Sequence, residues 1–504
     1  MRRPSYQQLL QAVSFLLLLG CAKPITVDGF FSDWEGVSPT AERAPEAQGV
    51  LQSLQMAEDT ARFYLRFTLN QSVNLQSSDI ELCIDGDDDP TTGQAIAGVG
   101  VDLIFHLGRR QGLFRGQDVS HQHLELVSLP THADSSFELS IPWDVRPAGE
   151  QKLFKGKSIQ VFLRRKAGDK VERLPAQGAA PYFRLYGRRN PPPPLPLEPD
   201  DTNAVRLMSY NIERDGPTYA SSKPRFRRII QALEPDIICF NEFFETSARE
   251  VRSLIAGWLP PETDSARWYA TKEDAGNVTL SRWPIRQSWR LSYHYRATAN
   301  LIELPPAVGG CVLVINCHFR CCGADDHRQR EADIVAAFIR DAQTPGGEID
   351  LPEGTPIFIA GDLNLVGEAQ QLQTLRSGDI ENEKAYGEDH APDWDGTDLT
   401  DAAPRHTHVP LSYTWRDPQS SYSPGRLDYI LYTDSRVKRL LSFVFNTQSL
   451  PFYLQAQYKL EKDDSQASDH LPLIFDWVPR AQGMEPSSAS GQNPASPKLS
   501  SPHP

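Results

Sequence analysis

Apolar and polar positions change their rhythm part-way along the chain. Between residue 25 and about residue 188, apolar and polar side chains alternate, as in Ala61-Arg62-Phe63-Tyr64-Leu65-Arg66-Phe67 and Val101-Asp102-Leu103-Ile104-Phe105-His106-Leu107. A period of two is the mark of a strand with one face in a core and one in water. Turn formers such as Asp85-Gly86-Asp87-Asp88-Asp89-Pro90 separate these runs, and short strands at this spacing predict a β-sandwich over 25–188. Residues 189–201 carry Pro191 to Pro194, Pro196 and Pro199, which predicts a stiff spacer. From Val205 strands alternate with helices: 205–210 is a strand, a helix is predicted around 223–233, and the runs 237–240, 311–315 and 356–360 are apolar throughout. Strands apolar on both faces belong to covered sheets, so 202–480 reads as mixed α/β. Residues 481–504 are Ser, Pro, Gly and Ala without periodicity, a predicted disordered tail.

The first residues change the picture of where the protein works. Arg2 and Arg3 precede an apolar stretch over 12–19 that ends in Gly20-Cys21. A short basic segment followed by an apolar run too short for a bilayer predicts an export signal over 1–21. Leu18-Leu19-Gly20-Cys21 resembles the lipobox of bacterial lipoproteins, although Leu19 is an unusual occupant of its place. The resemblance implies lipidation at Cys21 and a membrane-anchored protein of a bacterial cell envelope; ordinary cleavage nearby gives a secreted or periplasmic one. Six further cysteines (Cys83, Cys239, Cys311, Cys317, Cys321 and Cys322) predict one or two disulfides in that compartment. A structural zinc site is disfavoured, because the paired cysteine spacing it needs is absent.

Charge excludes one class of function. The chain has 51 Lys and Arg against 65 Asp and Glu, a net charge of −14, and residues 201–480 alone hold 29 against 40. A protein that coats nucleic acid through a broad basic face does not look like this. A local site remains open, since a bound divalent cation brings positive charge to a phosphate.

In the first half, Ile25-Thr26-Val27-Asp28-Gly29-Phe30-Phe31-Ser32-Asp33-Trp34 and Leu82-Cys83-Ile84-Asp85-Gly86-Asp87-Asp88-Asp89-Pro90-Thr91-Thr92-Gly93 resemble family 9-like carbohydrate-binding modules. The resemblance implies a sandwich and a glycan partner, but no pair of aromatic side chains able to clamp a sugar ring is legible. The Asp85–Asp89 loop has two readings, oxygen ligands for Ca²⁺ or a solvated turn whose aspartates cap the backbone. The lack of EF-hand spacing favours the turn.

The chemistry lies at the ends of the buried strands. Asn211 follows one, Asn241-Glu242 another, Asn316 and His318 a third, and Gly361-Asp362-Leu363-Asn364 a fourth. Strand ends are where α/β proteins assemble sites on rigid backbone. Carboxylates and amides are hard ligands for Mg²⁺, and imidazoles move protons near neutral pH. Phosphoester hydrolysis needs neutralised phosphate oxygens, an activated water and a stabilised leaving oxygen.

Seven motifs occur in order: Ser209-Tyr210-Asn211-Ile212, Asn241-Glu242, Gly276-Asn277-Val278-Thr279-Leu280-Ser281-Arg282, Asn316-Cys317-His318, Gly361-Asp362-Leu363-Asn364, Arg426-Leu427-Asp428-Tyr429-Ile430 and Ser468-Asp469-His470. Together they resemble the endonuclease/exonuclease/phosphatase family, which includes DNase I-like nucleases, inositol-polyphosphate phosphatases and sphingomyelinases. The resemblance implies a DNase I-like fold, a two-sheet sandwich flanked by helices, preceded here by the β-sandwich. It also implies Mg²⁺ (or Mn²⁺) held by Glu242 with Asn211 and Asp469. His318 would contact the phosphate or act as acid, Asp362 would position or deprotonate water, and Asn364 would hold the phosphate. His470 would be oriented by Asp428. Asn241 stands where the family usually has Gln, one methylene longer, so the hydrogen bond of that amide is expected to shift or be lost. Asn277 is evenly balanced between touching the site and shaping the sheet; Arg320 and His327 read as surface residues.

The expected function is an exported, metal-dependent phosphoester hydrolase acting as a monomer, most readily a nuclease-like phosphodiesterase. The alternatives are a sphingomyelinase-like enzyme, a sugar- or inositol-phosphate phosphatase, or a surface-binding lipoprotein whose enzyme domain is vestigial. Trp283-Pro284 and Phe452-Tyr453-Leu454 are the candidate membrane-facing aromatics for the first alternative.

Overall fold

The computed structural model describes residues 23–480 apart from 46, 169, 177–181, 185–188 and 261–266. The export signal, Cys21 and the tail lie outside the described residues.

Alternation in the first half produces two antiparallel sheets. One runs Ala41–Glu42, Leu51–Glu58, Arg62–Val73, Asp134–Pro142, Val127–Leu129; the other is built around Ser158–Ala167, Ile80–Asp85 and Leu103–His106. Their inner faces share one core that includes Leu65, Phe67, Phe137, Leu82, Phe105 and Val161, so the expected β-sandwich is present. The run 101–107 is not one strand, however. It breaks at Asp102, between Val99–Val101 and Leu103–His106. The buried Asp102 carboxylate leaves the strand pattern to accept Gly86 N–H at 3.0 Å and Arg115 Nε at 2.8 Å. A buried charge takes partners before it takes periodicity.

Asp85, Asp87 and Asp102 bring carboxylate oxygens within 4.8 Å of one another. Most of these oxygens are already engaged. Arg115 bridges Asp87 and Asp102, Asp85 Oδ1 accepts from Asp88 N at 2.7 Å, and Asp89 caps Thr91. These bonds cap the turn, while Asp85 Oδ2 is buried without a partner.

Continuous apolar runs in the second half produce two stacked sheets. The seven-stranded sheet places Val205–Asn211 between Ile237–Asn241 and Leu473–Pro479; the six-stranded sheet places Ile357–Asp362 between Cys311–His318 and Asp428–Tyr432. Val205, Leu207, Val314, Phe358, Ile430, Phe475 and Trp477 fill the space between the sheets. Helices Lys223–Leu233 and Ala248–Trp258 cover one outer face through Phe226, Ile230 and Ile255. Helix Asp325–Gln343 covers the other through Ala332, Val335 and Ile339. The result is the two-sheet sandwich flanked by helices that the motifs imply. Among the described residues, no helix is long and apolar enough to cross a membrane.

The proline run does not stand free of the second half. Leu197 is buried in its core, Leu195 N–H donates to Thr407 O at 2.9 Å, and Leu197 O accepts from Arg206 Nη2 at 2.7 Å. Leucines set between prolines supply the apolar contacts that pin the segment. The expected disulfides are also missing: Cys83, Cys239, Cys311, Cys317, Cys321 and Cys322 are all free. Cys83, Cys239 and Cys317 are each buried in a different apolar cluster.

The segment at residues 25–34 is fastened through acid groups. Glu138, fully buried, accepts from Asp28 N, Gly29 N and Trp34 Nε1, each at 2.8 Å. Burial, and then the charges of Asp28 and Asp33, hold the Glu138 carboxyl well above its usual range. Burial and Asp33 push Asp28 up to about 8. Carboxyls with raised folded pKa values contribute stability at pH below their unfolded values and lose it as pH rises through the folded ones. Stability is therefore expected to fall between about pH 4 and about pH 8. Asp28→Asn should flatten that fall by on the order of 2 kcal/mol, read as urea midpoints at the two ends of the range; an unchanged slope would count against the cause given.

Candidate active site

The register of the central strands brings the predicted residues to one edge of the sandwich. Asn211 pairs with Asn241 across two parallel strands, His318 with Asp362 across two more, and Asp362 with Asp428. Gly361 lets its strand come close. It sits at φ 142°, and a Cβ there would lie 1.8 Å from Cys317 O. Glu242 (φ 74°) and Asn364 (φ 49°) both turn out of their strands in the left-handed region, a conformation that costs a non-glycine residue about 1–3 kcal/mol and that clusters at functional sites.

Glu242, His318, Asp362, Asn364, Asp469 and His470 line one cleft of about 580 Å³. Asn211 Nδ2 donates to Glu242 Oε1 at 3.2 Å and to Asp362 Oδ2 at 3.0 Å, while its Oδ1 accepts Glu213 N–H at 3.1 Å. In this orientation the amide is a donor to both acids; a half-turn would present its oxygen instead. His470 Nδ1 lies 2.8 Å from Asp428 Oδ2, and its Nε2 lies 3.6 Å from Asp362 Oδ2. His318 Nε2 lies 3.7 Å from Glu242 Oε1 and 3.6 Å from Asp362 Oδ2. Asn364 Nδ2 donates to Phe319 O at 3.1 Å, and Asp469 Oδ2 accepts from Trp415 Nε1 at 2.8 Å.

The environments push these groups apart in acidity. Burial alone would lower His470, but Asp428 and Asp362 outweigh it and hold the imidazole up to about 10. Burial, with the cations of Arg296 and His470 nearby, holds His318 well below the usual histidine range. His470 is thus charged and His318 neutral at pH 7, so the separations of His318 from its acids are contacts and not ion pairs. Burial pushes Asp362 up to about 7, against the pull of His470 and with the push of Asp428. One imidazolium, one neutral imidazole and one carboxyl near neutrality make a set able to accept and donate protons at pH 7.

The residues also fit a hard cation. Among the described residues, Asp362 has the His470 imidazolium as its ionic partner, and neither Glu242, Asp362 nor Asp469 pairs with Lys or Arg. Oxygen donors without a Lys or Arg partner, gathered in one cleft, suit Mg²⁺ or Mn²⁺. Asp362, Asp428 and His470 also come within 4.8 Å of one another. Asp428 already fixes His470 Nδ1, however, and that pair is a proton-handling arrangement more than an ion cage.

Asn241 is fully buried. Its amide donates to Asn277 Oδ1 at 2.8 Å and Asn316 Oδ1 at 2.9 Å, and its oxygen accepts Asp362 N–H at 3.1 Å. The shorter side chain is fully engaged beneath the site. Asn277 belongs to this buried network and not to the cleft surface, with Nδ2 2.9 Å from Asp274 Oδ2. Arg320 is exposed. Sequence reasoning missed Arg296, Arg214 and Trp415, which line the cleft. Arg296 faces it because it pairs with His318 in the sheet register, a signal that only strand pairing carries.

A family model for the endonuclease/exonuclease/phosphatase family matches residues 208–470, more than half of the chain. The chain belongs to that family. Solved structures of the family's fold are similar to it at low identity. D. rerio TDP2, complexed with a single-strand DNA product, is 14% identical with a TM-score of 0.35, covering 55% of this chain and 99% of its own. Beta toxin from Staphylococcus aureus with bound magnesium ions is 17% identical with a TM-score of 0.32, covering 55% and 100%. Sphingomyelinase C from Streptomyces griseocarneus is 15% identical with a TM-score of 0.31, covering 55% and 99%. No curated protein matches the chain.

Proposed function

We propose that this family member is a divalent-metal-dependent phosphoester hydrolase, most readily a phosphodiesterase, with Mg²⁺ or Mn²⁺ held by Glu242 together with Asn211 and Asp469. The observation that carries the reading is the opposed pair in one cleft: His470 held charged by Asp428, and Asp362, 3.6 Å away, held up to about 7. When bound, such an ion neutralises phosphate oxygens and acidifies water. The protein's own groups do the rest. Asp362 orients the attacking water and takes its proton. His470 donates from Nε2 to the phosphate or its leaving oxygen, because Asp428 fixes the proton on Nδ1. Neutral His318 and the Asn364 amide face the phosphate as donors.

A vestigial enzyme domain would not be expected to keep Glu242, His318, Asp362, Asp469 and His470 together in one cleft. A phospholipid head group is the second substrate reading. It is favoured by Phe452 and Tyr453, which are 82% and 65% exposed on the short helix Phe452–Gln457. Trp283, the other aromatic candidate, packs against the core. The basic-then-apolar start ending at Cys21 supports export and a lipid anchor.

The test is the full-length chain with Mg²⁺ against bis(p-nitrophenyl) phosphate, plasmid DNA, sphingomyelin and inositol phosphates, with and without chelator. Hydrolysis of at least one substrate, abolished by the chelator, is expected. Silence across the panel, or turnover indifferent to chelation, would sink the reading.

A further inference from the structure

We propose that the first domain is part of the substrate site: Gln76, with the Tyr422 ring that this domain holds in place, makes a fixed wall across the catalytic cleft and selects compact phosphoesters, of about nucleotide size or smaller, over duplex nucleic acid. The chemistry at the floor of the cleft rests on the hydrolase reading above; the wall does not.

Domains joined by a linker move independently unless a large apolar interface holds them. Here the interface is both apolar and hydrogen-bonded. Ile25, Val27, Phe31 and Trp34 of the first domain share a buried cluster with Leu411 of the second, and Val27 N–H donates to Pro410 O while Val27 O accepts Ser412 N–H. Nearer the cleft, Asn74 Nδ2 donates to Val366 O at 3.0 Å and Ala133 N–H to Gly367 O at 2.7 Å. Arg426 N–H donates to Thr131 Oγ1 at 2.9 Å. A Cβ on Gly425 would approach the Thr131 side chain to 3.2 Å, so the two domains are in close contact there.

The first domain also grips the loop between Trp415 and Gly425. Arg110 Nε donates to Ser421 O at 2.7 Å, and its guanidinium lies 4.4 Å from the centre of the Tyr422 ring. Gln122 Nε2 donates to Pro418 O. Tyr422 is held this way on the rim of the cleft, whose lining includes Asn74, Gln76 and Thr131 from the first domain beside the catalytic residues. Asn74 and Thr131 are committed to the interface. The Gln76 backbone is bonded to Asn74 and Arg110, while its side-chain amide has no protein partner among the described residues and stays available to a ligand.

Two features set the substrate class. The walled cleft of about 580 Å³ is in the range that encloses a small molecule. The wall is also uncharged where it faces the cleft, because Arg110 is spent on Tyr422 and on backbone carbonyls. Arg214, Arg296 and the His470 imidazolium are the cations in the lining, all other described lining side chains being neutral or acidic. Duplex binding draws its affinity from many phosphate contacts, which this cleft does not offer.

Binding, not turnover, is the readout, so failure of the hydrolase reading and failure of this one are separable. Full-length protein carrying His470→Ala would be titrated with bis(p-nitrophenyl) phosphate in Mg²⁺ by calorimetry, and with a fluorescent DNA duplex by anisotropy. The diester is expected to bind and the duplex to neither bind nor compete. Adding Gln76→Ala should weaken the diester about tenfold, the worth of one good hydrogen bond. Gln76→Glu, the same shape with a negative charge, should weaken it at least as much. Diester affinity unchanged by both Gln76 variants, tight duplex binding, or no binding of either ligand each overturns the inference.

Discussion

His470→Ala is expected to lower kcat/KM toward a phosphodiester by about 10³- to 10⁴-fold, the upper range for removal of a general acid or base. His470 is 5% exposed and held up to about 10, so at neutral pH it stands as an imidazolium beside the cleft floor. An acid of that kind acts on the charge that develops as the leaving oxygen departs, so the loss should fall on kcat and leave KM little changed. The variant leaves Asp428 buried without its partner, an unmet group that costs about 1–3 kcal/mol. A urea transition measured alongside separates lost chemistry from lost folding. A loss confined to KM, or one below about tenfold, would remove His470 from the proton-transfer role.

Glu242→Ala is the second large effect. Its carboxylate lies between Asn211 Nδ2 and the Arg214 backbone N–H, 3.0 Å from Oε2, on a residue turned out of its strand at φ 74°. That geometry aims one acid into the cleft with no Lys or Arg side chain paired to it among the described residues. Loss of the acid should cut turnover by about 10³-fold at fixed Mg²⁺, equivalent to several kcal/mol of lost charge stabilisation. Calorimetric titration should show weakened Mg²⁺ binding before substrate is added, an outcome independent of activity. Unaltered metal affinity in Glu242→Ala would move the ion to other ligands.

The sequence showed the second domain's strands and the site on them with little loss. Runs such as 311–315 and 356–360 are apolar throughout, end abruptly at Asn316 and at Gly361-Asp362, and have no competing helical period. The pairing of His470 with Asp428 was legible because both follow short recognisable motifs. Other features depend on contacts distant in sequence. Arg296 enters the cleft only through its register with His318, and nothing in its neighbourhood marks it. The break at Asp102 was hidden by an alternation interrupted only at Ile104; it is decided by Gly86 and Arg115, which lie outside that window. The cysteines misled because compartment chemistry says whether thiols can pair, while strand direction decides whether they meet. The part played by the first domain was invisible, since Gln76 and Thr131 belong to no motif.

The Val27 contact has a practical corollary for anyone who shortens the chain. Cutting away the first domain would uncover Leu411, now 5% exposed, together with the partly covered Val409 and Tyr413. It would also free Pro410 O and the Ser412 N–H, leaving an open backbone edge next to an oily patch. Such an edge recruits whatever strand is nearest, and at preparative concentration that is another copy of the fragment. A catalytic half made alone would tend to self-associate through the surface that its missing neighbour normally seals.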